Sequence, residues 1–421
     1  MCNRRSFIRQ TATILGSLAL HSKVSAAFPL DKQQILDESG PEEDFWNQVR
    51  QAYACSPTIL NLNNGGVCPA PRAAMDALDY YNRMCNEVPS YYMWRVLDQD
   101  RESLRQNLAD LAGVSADEIA INRNATESLN TLIFGLQLEA GDEVILSKYD
   151  YPNMIHAWKQ REMRDGIKLV WVDLDLPSED AEALTEPYIS KITDKTRLIH
   201  LTHIINWSGQ VMPVRKITDA AHARGVEVLV DGAQSFACLD HKIPDLGCDY
   251  WGTSLHKWLC APYGNGMMWI KKEKISRVYA LLSCADPATD DIRKFENLGT
   301  RSFPQEMATG YSLDLHHLIG SKRKQDRLQF LRKYWMDRVA DAPGVYFNTP
   351  NNNDWAVVLG NFGIEGMEAG EISNVLFKNY KIHTTTINWE SIHGVRVSPN
   401  VYTSIQEMDK FVAAVHEIAK R

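Results

Sequence analysis

Residues 226–270 decide the fold, and they include the stretches VEVLVDGAQSF at 226–236 and CDYWGTSLHKWLCAPYGNGMMWI at 248–270. Residues 226–230 are rich in apolar and β-branched side chains, and Asp231 ends the run. This pattern predicts a strand that is buried on both faces and carries a carboxylate at its carboxyl end. A second short strand, predicted over residues 249–253, leads into Ser254-Leu255-His256-Lys257, and a third apolar run follows.

A buried acid and a lysine at neighbouring strand ends are the two groups that a pyridine aldehyde cofactor requires. The lysine forms a Schiff base with the aldehyde, and the acid keeps the ring nitrogen protonated. The pair alone is equally consistent with a structural Asp231 at a strand end and a Lys257 on the surface after a turn. The rest of the chain has to decide between these two interpretations.

Apolar strands alternate with helical patterns along residues 119–230, which predicts a parallel sheet covered by helices on both faces. Ligands bind such sheets at the carboxyl ends of the strands. Polar or aromatic residues occur at five such ends, namely residues 124–128, residues 149–151, Asn206, Asp231 and Lys257. Five polar or aromatic sites on one edge of a sheet indicate a binding site.

Two further stretches are typical of ligand contact. Residues 124–128, NATES, open a predicted helix, whose free N–H groups and positive dipole end suit a phosphate, although capping alone would explain Thr126 and Ser128. Asn63-Asn64-Gly65-Gly66 follows a short predicted strand, and its glycines allow the backbone to approach a ligand closely. A plain tight turn explains those glycines equally well.

Composition excludes several functional classes. The chain of 421 residues has a net charge of −8 and no long basic block, which argues against a nucleic-acid partner. It has no run of eighteen apolar residues, so no stable membrane anchor is expected. The eight cysteines are irregularly spaced and indicate neither a disulfide framework nor a metal site. Cys238, Cys248 and Cys260 are expected to pack in the core as small residues.

The N-terminus predicts export. Arg4-Arg5 precedes an apolar run at 12–20 and small residues at 24–26, a layout that resembles a bacterial twin-arginine signal peptide over residues 1–27. A helical extension of the mature protein is the alternative. The signal implies export of the folded protein by the Tat machinery to the periplasm.

The remaining chain divides into an N-terminal arm at 28–70, a large domain at 71–300 and a smaller α+β domain at 301–421. The smaller domain contains a basic helix, predicted to be solvated, over residues 321–338.

Four motifs resemble those of the class V aminotransferase family. They are Asp-Gly-Ala-Gln at 231–234, Ser-Leu-His-Lys at 254–257, Gly-Thr at 299–300 and RVSPNVYT at 396–403, and the likeness extends from about residue 60 to the C-terminus. The resemblance implies an α/β fold of the fold type I PLP-transferase class. A large domain with a mostly parallel sheet covered by helices would be joined to a smaller C-terminal α+β domain. It also implies the cofactor pyridoxal 5'-phosphate (PLP) and a homodimer with shared active sites.

The resemblance assigns roles around the cofactor ring. Lys257 is similar to the lysine that forms the Schiff base with PLP, and Asp231 to the partner of the ring nitrogen. Gln234 resembles the residue that contacts the ring hydroxyl, and Asn206 one that faces the same oxygen or the substrate. Tyr151 resembles the ring that stacks on the pyridine, with Tyr149 as the runner-up, and either could instead be ordinary packing.

Further roles concern the phosphate and the substrate. Ala125 and Thr126 resemble the phosphate cradle, joined by Ser254 and His256, although His256 could be a structural histidine beside the lysine. Thr300 is similar to a residue that reaches the phosphate of the neighbouring subunit. Two residues are predicted to bind the substrate: Arg396, which resembles a clamp for the α-carboxylate, and Asn64.

One departure from the family narrows the function. Cysteine desulfurases carry a nucleophilic cysteine about fifteen residues before the clamp arginine, whereas residues 381–395 contain no cysteine. The chain therefore leans towards the isopenicillin N epimerase-like branch. The expected activity is aminotransfer, epimerisation or elimination through Lys257 on an amino acid or an amino-acid-derived substrate, such as a peptide or siderophore. The alternatives are a cysteine desulfurase or lyase activity, and a catalytically silent exported binding protein.

Overall fold

The computed structural model describes residues 42–420. The predicted signal peptide, with Arg4 and Arg5, and the first part of the predicted arm lie outside the described residues. Within the described range no helix is both long enough and apolar enough to span a bilayer.

The centre of the molecule is a seven-stranded sheet in the order β2-β8-β7-β6-β5-β3-β4. The strands of the chain up to residue 270 are β1 Leu60–Asn61, β2 Ile119–Asn122, β3 Glu143–Ser147, β4 Lys168–Val172, β5 Thr196–Thr202, β6 Glu227–Asp231, β7 Tyr250–Ser254 and β8 Gly266–Ile270. Strands β3 to β7 pair in parallel, while β8 runs antiparallel to both β7 and β2. The loop between β7 and β8 carries Lys257 and is too short for a parallel crossover, so β8 turns back along its neighbour.

Helices cover both faces of this sheet and continue to the C-terminus. They are α1 Glu42–Gln51, α2 Arg72–Glu87, α3 Pro89–Tyr91, α4 Asp98–Ala112, α5 Ala125–Gly135, α6 Pro152–Asp165, α7 Ala181–Ile189, α8 Val214–His222, α9 Ile243–Leu246, α10 Phe303–Ile319, α11 Ser321–Val339, α12 Ala369–Tyr380 and α13 Ile405–Ile418. A π-helical turn, Tyr92–Leu97, joins α3 to α4.

Strand β6 shows why the apolar run at 226–230 has no alternation. Val228 and Val230 belong to the hydrophobic cluster on one face of the sheet, and Leu229 belongs to the cluster on the other face. Because this strand is covered on both sides, it carries no polar residue between the half-buried Glu227 at its start and Asp231 at its end. The predicted α/β fold with a mostly parallel sheet covered by helices is confirmed.

A second sheet occupies the C-terminal region. Its elements are β9 Val345–Phe347, β10 Gly360–Ile364, β12 Thr385–Trp389 and β13 Ile392–Val397, all antiparallel in the order β12-β13-β10-β9. The short β11, Ile382–His383, pairs in parallel with β1 from the other end of the chain. Leu60 and Leu62 accordingly pack in the C-terminal core. The predicted boundaries at residues 70 and 300 stay predictions.

Helix α11 is basic as predicted, but it is not a solvated helix. Lys324, Arg327 and Arg332 are all buried, with exposed fractions of 2%, 3% and 0%. Each cation donates to backbone carbonyl groups: Lys324 to Trp258, Arg327 to Thr403, and Arg332 to three residues of the loop before β10. A charge pattern cannot reveal such partners because they come from distant parts of the chain.

Candidate active site

A cavity of about 190 Å³ lies at the carboxyl ends of β5, β6 and β7, facing the start of α5. This is the edge at which a parallel sheet binds its ligands. Nine of the predicted site residues line it: Ala125, Thr126, Tyr151, Asn206, Asp231, Gln234, Ser254, His256 and Lys257.

Asp231 and Lys257 both line this cavity. Asp231 ends β6 between Thr202 of β5 and Gly252 of β7, and its Oδ1 accepts a hydrogen bond of 2.9 Å from the N–H of Ala233. Burial raises the pKa of Asp231, and the nearby Lys257 offsets part of that rise. Burial likewise lowers the pKa of Lys257 to about 8, although Asp231 opposes the shift. The amine can therefore lose its proton, and act as a nucleophile, near neutral pH.

The start of α5 lines the cavity and presents backbone N–H groups there. The N–H of Ala125 donates to Ser254 Oγ at 2.8 Å, and the N–H of Glu127 donates to Asn124 Oδ1 at 2.9 Å. First-turn N–H groups have no partner within a helix, so the N–H of Thr126 is left for a ligand. Gly266 of β8 permits this arrangement, because a Cβ there would lie 2.5 Å from Asn124 Cα. The dipole and the free donor suit a phosphate.

Two side-chain amides line the cavity, and each has a hydrogen-bonding group left for a ligand. Gln234 donates from Nε2 to the carbonyl of Gly65 and accepts from Trp258 Nε1, both at 2.8 Å, so one N–H of its amide remains for a ligand. Asn206 is 7% exposed, and its Oδ1 has no hydrogen-bond partner among the described residues. A buried acceptor without a donor is costly, which indicates that a ligand supplies the donor.

The structure separates the two tyrosines that the sequence left open. Tyr151 lines the cavity, and its ring centroid is 6.0 Å from Nζ of Lys257. Tyr149 is buried elsewhere, with its hydroxyl 2.7 Å from Ser391 Oγ. His256 lies beside the lysine, with Nδ1 3.2 Å from the carbonyl of Asn265, and burial lowers its pKa.

Arg396 extends from β13 to the edge of the site, and no acidic residue among residues 42–420 pairs with it. It donates to the carbonyl of Asn206 and to Asn63 Oδ1, both at 2.9 Å, while its Nε has no partner within residues 42–420. It is 5% exposed, and burial lowers its pKa to about 10. A buried guanidinium without an anion is unfavourable, so a carboxylate ligand would complete this site.

Three predicted residues do not line the cavity: Arg396, which lies beside it, Asn64 and Thr300. Asn64 is fully buried, donating to the carbonyl of Ser398 at 2.9 Å and accepting from the Tyr402 hydroxyl at 2.6 Å, while Gly66 lines the cavity instead. Thr300 lies in a separate cavity of about 220 Å³. Its predicted contact with a neighbouring subunit therefore stays a prediction.

Sequence reasoning missed Asp150 and Thr202. Thr202 lines the cavity, and its hydroxyl donates to Asp150 Oδ1 at 2.6 Å. The N–H of Ser147 donates to the other oxygen at 2.8 Å. Burial raises the pKa of Asp150 to about 7, with a smaller contribution from Asp231. An acid three residues after the buried strand β3 was the available signal.

No group of three or more potential metal ligands lies together in the part of the chain that the structure describes. A phosphate cradle, a nucleophilic lysine and a buried acid at one edge of the sheet are instead the set that PLP requires. The model of the family described as aminotransferase class-V matches residues 60–411. The chain belongs to the class V aminotransferase family. It is accordingly a PLP-dependent enzyme, as its motifs predict.

The relatives of this chain include isopenicillin N epimerases and cysteine desulfurases. The isopenicillin N epimerase of Streptomyces clavuligerus is 27% identical over 88% of this chain and 97% of its own length. A cysteine desulfurase of Haloferax volcanii is 24% identical over 85% of this chain and 88% of its own length. Among solved structures, a C-DES mutant with glycine covalently linked to its PLP cofactor has a TM-score of 0.77 at 22% identity, covering 86% of this chain and 97% of that one. This member of the class V aminotransferase family thus has the fold type I architecture.

Proposed function

We propose that this protein acts on the α-amino group of an amino acid or of an amino-acid-derived substrate, by aminotransfer, epimerisation or elimination. The observation that carries this proposal is the buried Arg396, a cation without an anion, next to the cavity that contains Lys257 and Asp231. An α-amino acid carries an amine, which can react with the PLP aldehyde, and a carboxylate, which the guanidinium of Arg396 can bind.

Bound PLP would supply an aldehyde and an aromatic ring that withdraws electrons from the substrate α-carbon. Thr126 and the first turn of α5 would hold its phosphate, and Asp231 would keep a proton on the ring nitrogen. Asn206 and Gln234 would orient the ring through their free amide groups. The amine of Lys257, with its pKa lowered to about 8, would move the proton at the α-carbon as a general acid and base.

Epimerisation is supported by the likeness to the Streptomyces clavuligerus enzyme over nearly its whole length. A second candidate is cleavage of a carbon–sulfur bond in a cysteine-like substrate, because the Haloferax volcanii relative is a cysteine desulfurase. Such a cleavage by simple elimination needs only the lysine and the electron-withdrawing ring.

The test is to purify the protein with PLP and to follow its visible absorption band during borohydride treatment. Loss of the band, with a reduced adduct at Lys257 by mass spectrometry, supports the enzyme. A folded wild-type protein without a reducible adduct would support the catalytically silent binding protein instead. Lys257→Ala should stay folded and lose both the adduct and turnover. A panel of amino acids and short peptides, read by cofactor spectra and products, then identifies the reaction.

We also propose that the protein works as a homodimer and reaches the periplasm by the twin-arginine route. The support for export is the Arg4-Arg5 pair with its apolar run. Replacing both arginines by lysine should leave an unprocessed protein in the cytoplasm. Recovery of the trimmed variant from the periplasm would contradict this route.

A further inference from the structure

Three aromatic rings lie in a row that starts at the cavity. The ring of Tyr151 stacks on Trp207, with centroids 6.4 Å apart and an interplanar angle of 26°. Trp207 stacks on Trp389, with centroids 5.0 Å apart and an angle of 17°. Because Trp389 ends β12, the row joins the C-terminal sheet to the edge of the central sheet.

The two indoles also hold the backbone that leads to Tyr151. Nε1 of Trp389 donates to the carbonyl of Lys148 at 2.8 Å, and Nε1 of Trp207 donates to the carbonyl of Tyr149 at 3.0 Å. The Tyr149 hydroxyl lies 2.7 Å from Oγ of Ser391, in the turn after β12. Three hydrogen bonds therefore fix the segment that precedes Tyr151, while the stack fixes its ring.

The same elements carry the substrate clamp. Strand β13, which begins just after Ser391, contains Arg396, and Arg396 donates to the carbonyl of Asn206. The next residue is Trp207, whose own carbonyl accepts from Asn361 Nδ2 at 3.0 Å. A shift of β13 would consequently move the carboxylate clamp and the aromatic row together.

We propose that Trp207 and Trp389 are positioning residues that hold the ring of Tyr151 against the cofactor and tie its orientation to the strand of Arg396. This inference rests on the proposed function, since it requires PLP in the cavity beside Tyr151. Aromatic pairs prefer offset parallel arrangements, so removing the outermost ring loosens the next one in the row.

The test uses full-length apoprotein titrated with PLP. Trp389→Leu removes the ring, Trp389→Phe keeps a ring without the N–H, and Trp171→Leu is the control. Trp171 is also half-buried, but it lies on β4 at the far edge of the sheet, where its ring contacts Lys159. The readouts are the dissociation constant of PLP and the visible circular dichroism per bound cofactor, which reports how the cofactor is oriented.

Trp389→Leu should weaken PLP binding by about 2- to 10-fold, the size expected for one aromatic pair. It should also reduce the visible circular dichroism per bound cofactor. Trp389→Phe should show a smaller change of the same kind, and the control should match the wild type. If Trp389→Leu does not fold, Ser391→Ala should give the smaller change.

Two results would overturn the inference. Trp389→Leu could lower the thermal midpoint while the affinity and the dichroism per bound cofactor stay at wild-type values, in which case the rings merely pack. The control could also change both readouts as much as Trp389→Leu does. Failure of the wild-type protein to bind PLP at all would instead refute the proposed function.

Discussion

We expect Arg396 to bind the substrate without adding much to the stability of the apoprotein. A buried cation without an anion contributes little to folding, because the loss of hydration offsets its hydrogen bonds. We expect Arg396→Leu to change the free energy of unfolding by about 1 kcal/mol or less. The KM for a carboxylate-bearing substrate should rise about 100-fold, since a bidentate charged contact is lost.

Arg332→Leu is the matched control for that prediction. Arg332 is also buried, but it donates to four oxygen atoms, of Val357, Pro350, Asn351 and Asn353, against two for Arg396, so its removal should cost about 2–4 kcal/mol. Urea unfolding of the apoproteins and substrate saturation curves measure both effects. Equal losses of stability in the two variants would show that Arg396 is structural.

Asp150 predicts a pH dependence of stability. Its pKa is about 7 in the folded protein and about 4 in an unfolded chain, so the folded form binds more protons between these values. Its contribution is fully present below about pH 4 and is lost progressively as the pH rises to about 7. Asp150→Asn should remove this decline, so that the variant gains stability relative to the wild type as the pH rises.

Urea unfolding at several pH values between 4.5 and 7.5 measures that difference directly. Asp110→Asn, at an exposed acid on α4, serves as the control and should follow the wild type. A constant difference between Asp150→Asn and the wild type across this range would contradict the raised pKa.

The predictable residues of the site are those whose chemistry is carried by local motifs. Asp231 and Lys257 each follow a recognisable strand, and the edge on which they meet follows from parallel topology. Asp150 and Thr202 were not predicted, because the hydrogen bond between them joins the ends of two strands and the spacing of residues along the sequence does not indicate such a contact. Asn64 was predicted from a turn that brings Gly66, rather than its own side chain, to the cavity.

At the scale of elements, the buried strands were the most predictable feature. Strands β2, β3, β6 and β8 appear as apolar runs because both of their faces pack against helices. The predicted solvation of helix α11 was wrong, since its buried cations donate hydrogen bonds to carbonyl groups of other elements. Polarity along a helix predicts its exposure only where no distant partner is available.

The persulfide route lacks its cysteine, since residues 381–395, in strands β11 to β13 and the turns between them, contain none. Cys238 and Cys248 are buried, and burial raises the pKa of both thiols. Cys260 packs in the core as well, where a hydrogen bond with Cys68 lowers the pKa of its thiol. It is nevertheless only 1% exposed, and a thiolate must reach the substrate sulfur to react.

We therefore expect no protein-bound persulfide when cysteine is supplied without reductant, as measured by mass spectrometry. A cysteine desulfurase treated in parallel is the positive control. A persulfide on Cys260 or another cysteine, formed in step with alanine, would return the chain to the desulfurase branch. Free sulfide without a persulfide would agree with elimination.

For the whole molecule, the predicted homodimer gives a mixing experiment. Thr300 lies outside the cavity of its own chain, so its predicted contact with the phosphate requires a second subunit. Lys257→Ala and Thr300→Ala should each be weakly active or inactive. Mixed dimers pair a native Lys257 with a native Thr300 at one of their two sites, and random mixing would restore about a quarter of the sites. Activity equal to the mean of the two parents would contradict shared sites.

The pairing of β1 with β11 has a consequence for the biogenesis of the enzyme. The N–H of Gly65 donates to Ser398 Oγ at 2.9 Å, although 333 residues of chain separate the two. The next residue, Gly66, lines the cofactor cavity. During synthesis, Gly65 and Gly66 leave the ribosome long before β13 and Ser398 have been translated. Contacts of such sequence separation form late, because the loop that they close is long. A nascent chain can therefore complete its central sheet early, yet it can capture the cofactor firmly only when translation is nearly finished.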